Sequence, residues 1–371
     1  MTVLPQDQNQ TARAGGREVG VYLALAFGLA WLLDLALYLT AGYGENVQTL
    51  TMLQAQMLTP ALAAAFVLLF MQRDHPLYFR NGPFRPRWFM WFFLAFCGVF
   101  LVLALFSLAA PGLGGVISAI SSIMALLGLL ALIAVRGFST GEAFAAAGLK
   151  GGRLRDWVFY GLAFVLFYAV QTALNWALNL GQRVDVGLLM ESLAQQGGAP
   201  QMSPGVFLLV VGVQTVVLGP LIGLLFGFGE EYGWRGFLQG RLARLGRVRG
   251  VFLLGLIWGV WHYPVILMGH NYPGQPILGI IVMTGYTLAL SFILGHVMFK
   301  TGSVWLVAFL HALNNQTLAF FNSIVYKPND PIFSFGTGVF SLLVFIPVIW
   351  LLLRDPVWRA VEETEGMPGL G

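Results

Sequence analysis

Residues 206–235 read VFLLVVGVQTVVLGPLIGLLFGFGEEYGWR. The run from Val206 to Gly229 carries no charge, and Glu230, Glu231 and Arg235 follow it directly. An uncharged run of this length can cross the roughly 30 Å hydrocarbon core of a bilayer as a helix. Charged side chains inside a membrane are costly and usually mark a functional site. The stretch therefore predicts a transmembrane helix that carries a polar site.

The composition of the whole chain indicates a membrane protein. It has 371 residues, of which 58% are hydrophobic and 10% charged, and its mean hydropathy is +0.77. Soluble proteins carry about 25% charged residues. We attribute the net charge of +4 to loop arginines that set topology, and predict no nucleic-acid partner. The single cysteine, Cys97, excludes an intrachain disulfide and a Cys-based metal cluster.

Apolar segments recur along the chain and predict an all-α, polytopic transmembrane helix bundle of about ten spans. The first segment is too long for a signal peptide, so we interpret it as a retained helix. The ten predicted spans are 19–42, 52–72, 88–110, 115–135, 157–180, 206–239, 251–268, 277–299, 303–322 and 333–353.

The basic residues predict the orientation of these spans. In the ten-span layout every Lys and Arg lies on one side of the membrane, except Arg183, Lys327 and the intramembrane Arg235. The positive-inside rule then places both termini in the cytoplasm. We expect an integral protein of the plasma membrane.

Three ionisable residues on three predicted helices share one depth. With a rise of 1.5 Å per residue, Glu230, His262 and His311 lie roughly 16–18 Å from the cytoplasmic ends of their helices. Each residue alone is compatible with a buried ion pair or a packing histidine. Their common depth favours a functional cavity, and Pro264 is expected to kink the helix beside His262.

Helical geometry divides the polar residues into roles. Glu231 and Arg235 are four residues apart and can pair on one face, whereas Glu230 is turned about 100° away. A carboxylate in an apolar cavity is a stronger base than one in water, which suits Glu230 to general base catalysis. His311 and Asn315 can face one cavity, where Asn315 would donate to an oxyanion.

Three motifs of the chain resemble those of the CAAX-protease and bacteriocin-processing (Abi) family, which includes the type II CAAX prenyl endopeptidase. The family pattern is EExxxR, then FxxxH, then HxxxN or HxxxB, and the resemblance covers roughly residues 205–325. The second motif has Trp258 where Phe is usual. The motifs here are Glu230-Glu231-x-x-x-Arg235, Trp258-x-x-x-His262 and His311-x-x-x-Asn315.

The resemblance implies an intramembrane endopeptidase that acts on a membrane-associated peptide or protein. The residue matching Glu230, with the one matching His262, would activate a water molecule. Those matching His311 and Asn315 would stabilise the oxyanion.

The same resemblance implies supporting roles and a domain organisation. Glu231 and Arg235 would support the catalytic residues. The predicted organisation is a cytoplasmic tail at 1–18, additional transmembrane helices and basic loops at 19–156, a CAAX-protease-like catalytic core at 157–353 and a cytoplasmic tail at 354–371.

The chemistry and the function leave alternatives. We favour a glutamate-type enzyme with no metal assigned; the alternative is zinc held by Glu230, His262 and His311, with Glu231 as the base. A non-enzymatic immunity or scaffold protein would bind a peptide or partner through the same cavity. A proton-coupled transporter ranks last, because the sequence shows no convincing internal repeat.

Overall fold

The structure is a computed structural model that describes residues 8–44, 46–195 and 202–359, with side chains from residue 16 onward except that of Ser118. Within these ranges the chain is helical apart from its loops and one short pair of strands. The predicted all-α, polytopic helix bundle is confirmed.

The first half of the chain forms long apolar helices. Short polar residues start some of them: Asn46 Oδ1 accepts from the Thr49 N–H at 2.8 Å, and Thr140 caps a shorter helix in the same way. These helices are α1 (Gln8–Leu39), α2 (Val47–Phe70), α3 (Pro86–Ala109), α4 (Gly114–Gly137, after a 3₁₀ turn at Pro111–Leu113), α5 (Gly141–Ala146) and α6 (Leu154–Ala177).

A short strand, which forms a two-stranded ribbon with a strand much later in the chain, and a broken helix come next. Strand β1 (Gly181–Arg183) pairs antiparallel with a later strand, and helix α7 (Val186–Gln195) lies between β1 and the next apolar segment. That segment consists of α8 (Pro204–Val213), a π-helical stretch (Gln214–Leu218), α9 (Gly219–Ile222), α10 (Leu224–Glu231), a second π-helical stretch (Tyr232–Gln239), α11 (Gly240–Leu242) and a 3₁₀ turn (Ala243–Leu245).

The remaining elements complete the bundle. They are α12 (Arg247–Trp261), α13 (Tyr263–Leu267), α14 (Pro276–Thr301), α15 (Val304–Phe320), a π-helical stretch (Phe321–Val325), β2 (Tyr326–Pro328), α16 (Ser341–Leu352) and a 3₁₀ turn (Pro356–Trp358).

Eight helical segments of the described chain are long and apolar enough to cross a membrane. Three of the ten predicted spans are divided or shorter than expected. The span 251–268 is divided at His262, because Pro264 cannot donate a backbone hydrogen bond. The span 333–353 is helical only in α16, since Gly336 adopts a left-handed conformation (φ +101°) that helices exclude. The helix of the long span 206–239 is interrupted at Gly223. Within this span, only Pro204–Ile222 is long and apolar enough to cross a membrane.

Helix α10 is enclosed between α2 and α15 by close backbone contact. A Cβ atom at Gly227 would overlap the backbone of Ala308 in α15. One at Gly229 would overlap the backbone of Met57 and Leu58 in α2. Small residues of this kind let membrane helices approach closely. The carboxylates at the end of α10 are therefore held in the interior of the bundle.

Candidate active site

Glu231 joins two of the predicted site residues. Its Oε1 atom accepts a 2.8 Å hydrogen bond from Arg235 Nη1 and lies 2.6 Å from His311 Nδ1. The predicted Glu231–Arg235 pair is therefore present, and both side chains are fully buried. Because an ionised carboxylate can only accept, His311 carries a proton on Nδ1 and directs Nε2 to its other side.

Glu230 occupies that other side. Its Oε1 atom lies 3.7 Å from His311 Nε2, which is longer than a direct hydrogen bond. Its Oε2 atom accepts a 2.7 Å hydrogen bond from the indole N–H of Trp258. The side chain is 2% exposed and makes no ion pair with Arg235. Glu230 is thus oriented by one neutral donor and faces one histidine.

Trp258 lies at the centre of the site. Its ring centroid is 5.4 Å from that of His311 and 5.8 Å from that of His262. The Arg235 guanidinium carbon stands 4.3 Å from its ring centroid, a cation–π contact. A Phe could make the ring contacts but could not donate to Glu230. The sequence signal for this role was the departure from the usual family residue.

His262 occupies the break between α12 and α13. Its Nδ1 atom lies 2.8 Å from the backbone oxygen of Trp258, so Nδ1 carries the proton and Nε2 keeps its lone pair. The ring packs edge-on against Trp261, with centroids 4.8 Å apart. No hydrogen bond joins His262 to Glu230 in the described structure. His262 therefore lies beside the cluster and outside its hydrogen-bond network.

Asn315 is exposed, unlike His311, the other predicted site residue of α15. Its Oδ1 atom accepts a 3.0 Å hydrogen bond from Nδ2 of the buried Asn314. Asn314 Oδ1 in turn accepts from the hydroxyls of Tyr168 and Tyr286, the latter at 2.9 Å. These donors set the orientation of both side-chain amides. Among the described residues, Asn315 Nδ2 then has no acceptor. Asn314 was not predicted, although the adjacent Asn pair offered a signal.

Contacts from α1 and α14 support the site. Trp31 Nε1 in α1 donates to the backbone oxygen of Trp261, and Trp261 Nε1 donates to that of Ala26, both at 3.2 Å. From α14, Ser291 Oγ accepts from Arg235 Nη2 at 3.1 Å. Helix α1 therefore anchors the turn that carries His262.

The described ranges contain no group of three or more His, Cys, Asp and Glu side chains placed to hold a metal ion. Glu231 and the Trp258 carbonyl already engage one nitrogen of His311 and one of His262. Within the described structure these contacts leave Nε2 of both rings without a hydrogen bond, so they do not decide between the two chemistries. The choice between a glutamate-type and a zinc-dependent site stays a prediction.

The apolar helices indicate an integral membrane protein, and the polar cluster buried among them is its candidate active site. A family model described as type II CAAX prenyl endopeptidase Rce1-like matches residues 212–317, the segment that holds every predicted site residue. The resemblance seen in the motifs is confirmed: this segment is similar to a family of type II CAAX prenyl endopeptidases, which are intramembrane hydrolases. No curated protein and no solved structure matches the chain.

Proposed function

We propose that this protein hydrolyses a peptide bond of a membrane-associated peptide or protein, with Glu230 as the general base. The observation that carries the proposal is the position of His311. It contacts Glu231 through Nδ1 and faces Glu230 through Nε2, and all three side chains are buried. A buried base beside a donor that faces the same space is the arrangement that water activation requires.

Charge balance favours an imidazolium at His311. Glu230 and Glu231 contribute two negative charges and Arg235 one positive charge. Buried charges are costly unless they are compensated. A doubly protonated His311 brings the formal charge of the cluster to zero, and it then presents an N–H group on Nε2 as well as on Nδ1.

The space between Glu230 Oε1 and His311 Nε2 suits a water molecule, because polar groups more than 3.5 Å apart are commonly bridged by one. We propose that Glu230 removes a proton from this water while its oxygen forms a bond to the scissile carbonyl carbon. His262 Nε2 can accept the water's second hydrogen. Glu230 then passes its proton to the leaving nitrogen as the C–N bond breaks, which releases a carboxylic acid and an amine.

The oxyanion of the tetrahedral intermediate needs donors that are already in place. His311 Nε2–H is one such donor. Asn315 Nδ2 is the second, since its Oδ1 atom is engaged by Asn314. Glu231 and Arg235 hold His311 in position and do not touch the substrate.

Unpaired polar atoms support a hydrated site. Glu231 Oε2 and Arg235 Nε are buried and have no hydrogen-bond partner among the described residues. Buried polar atoms in proteins are normally satisfied, often by ordered water. We expect water at these atoms, which would supply the hydrolytic molecule within the bundle.

The experiment compares protein termini in plasma membranes that contain the wild type, Glu230→Gln or Glu191→Gln at equal abundance. Glu230→Gln keeps the size and the acceptor for Trp258 but removes the base. Glu191 is an exposed carboxylate of α7 and provides the matched control. Termini present with the wild type and Glu191→Gln but absent with Glu230→Gln would support the proposal and name the substrate.

Identical termini in all three membranes, with folded protein, would overturn it and favour the immunity or scaffold function. The same comparison with a metal chelator added distinguishes the glutamate mechanism from the zinc mechanism. Cleavage that persists with the chelator supports the glutamate mechanism. Cleavage that stops and returns with zinc would overturn that mechanism.

A further inference from the structure

A groove of about 490 Å³ lies on a different part of the bundle, and none of its lining residues belongs to the Glu230–His311 cluster. One wall is a single face of α6, formed by Ala169, Thr172, Ala173 and Trp176 at helical spacing. Leu208 of α8 and apolar residues of the π-helical stretch Phe321–Val325 also line the groove. Its size is in the range typical of ligand sites, about 300–1,000 Å³.

The two-stranded ribbon formed by β1 and β2 contributes a single positive charge to the lining of the groove. Arg183 is the only charged residue that lines it, and its guanidinium carbon lies 5.3 Å from the Trp176 ring centroid. No ion pair of Arg183 occurs in the part of the chain that the structure describes. In the nearby Asp185 side chain, Oδ1 accepts from the N–H groups of Gly187 and Leu188. The guanidinium donors are therefore available to an external anion.

The position of this charge relative to the bilayer identifies the kind of anion. Trp176 belongs to the last turn of α6, one of the helices able to span the membrane, and it is 56% exposed. Tryptophan is enriched at the membrane–water interface. The apolar walls thus extend from the interface toward the hydrocarbon region, and Arg183 lies at the level of lipid headgroups.

We propose that this groove binds a phospholipid, with the phosphate on Arg183 and an acyl chain between α6 and α8. A guanidinium matches the geometry of a phosphate and can donate to two of its oxygens. The apolar walls exclude a hydrophilic anion from the rest of the groove. This site is independent of the proposed hydrolytic activity.

The ribbon of β1 and β2 offers a matched control for the test. Arg183 pairs with Tyr326, and the adjacent pair is Gln182 with Lys327. Successive residues of a strand point to opposite faces, so Lys327 lies on the face away from the groove. Arg183→Gln and Lys327→Gln each remove one positive charge from the ribbon, but only Arg183→Gln removes it from the groove.

Binding would be measured by native mass spectrometry of the full chain released from detergent, with dioleoyl phosphatidylglycerol, dioleoylglycerol or inorganic phosphate added. We expect the wild type and Lys327→Gln to retain the phospholipid equally. Arg183→Gln should weaken its retention at least about tenfold, as should Leu208→Trp, which fills the apolar part.

Equal retention by Arg183→Gln and Lys327→Gln would overturn the proposal, because the charge would then act without regard to the groove. Equally strong binding of dioleoylglycerol would show that the phosphate does not contribute to binding. Binding of inorganic phosphate as tight as that of the phospholipid would show a soluble-anion site instead.

Discussion

The indole N–H of Trp258 donates a 2.7 Å hydrogen bond to Glu230 Oε2, which links the second motif of the chain to the first. The bond orients the carboxylate so that its other oxygen faces His311. It depends on an indole nitrogen that the Phe usual at this position lacks. This chain therefore holds its proposed base with a donor that the common family motif does not supply.

Trp258→Phe should slow cleavage while leaving the fold intact. The loss of a hydrogen bond to a charged group is worth about 1.5–3 kcal/mol, which corresponds to about 10- to 100-fold in turnover. Trp305→Phe is the control, since Trp305 is buried and its indole nitrogen has no partner among the described residues. Equal turnover in both variants, measured with the substrate found by terminus mapping, would remove Trp258 from this role.

Arg235→Met should unfold the protein more readily than the double variant Arg235→Met/Glu231→Gln. The single change leaves the Glu231 charge with only His311 as a partner, and breaking a buried pair costs about 3–5 kcal/mol. Removing both charges avoids most of that cost. Denaturant unfolding of the purified protein measures the difference. Additive effects of the two substitutions would contradict a coupled pair.

Asn315→Asp should reduce turnover by about 100- to 1,000-fold, the usual cost of losing one oxyanion donor. The aspartate can still accept from Asn314, but it presents an oxygen where the amide donors were. Asn329→Asp makes the same chemical change at an exposed loop position and should have no effect. Normal turnover in Asn315→Asp, at unchanged thermal stability, would exclude Asn315 as an oxyanion donor.

Gly227→Ala should destabilise the protein by about 1–3 kcal/mol, the typical cost of overpacking a well-packed interior. Its methyl group would meet the Ala308 backbone, which cannot rotate away as a side chain can. Gly240→Ala is the matched change, because nothing lies within 4 Å of the added atom. That variant should be neutral or more stable by up to about 1 kcal/mol. Thermal midpoints that fall equally would show that the contact between α10 and α15 is not tight.

Asp355→Asn should lower the thermal midpoint near neutral pH, and the effect should vanish in acid. The Val357 N–H, followed by the Lys300 ammonium and His296, holds the pKa of Asp355 at about 2, below its ordinary value of 3.8. Because the folded-state pKa is the lower one, this stabilisation is present above about pH 4 and is lost as the pH falls toward about 2.

The comparison for this residue is Asp156→Asn, which removes a surface pair with the exposed Arg153. Such pairs contribute little, so the midpoint should hardly change. A difference between wild type and Asp355→Asn that stays constant as the pH is lowered would mean that its carboxylate charge is not what stabilises this end of α14.

Several features of the fold followed from the sequence because they depend on local chemistry. Uncharged runs identified the spanning helices, since the bilayer admits few charges. The four-residue spacing identified the Glu231–Arg235 pair, and Pro264 marked the break at His262. The shorter helix α16 was not foreseen, because the loop before it (residues 333–340) also contains several apolar Phe and Val residues.

What the sequence determined about this protein is its class and its helices, while the common depth of the polar residues stays a prediction. These depend on composition and on the rise of a helix, which are properties of single segments. Only the tertiary structure decided that His311 bridges the two carboxylates, that Trp258 rather than His262 holds Glu230, and that Asn314 orients Asn315. Those contacts join different helices or rest on partners from them, and they depend on how each helix is rotated about its axis. That rotation is set by packing against neighbours, which spacing along one chain segment does not record.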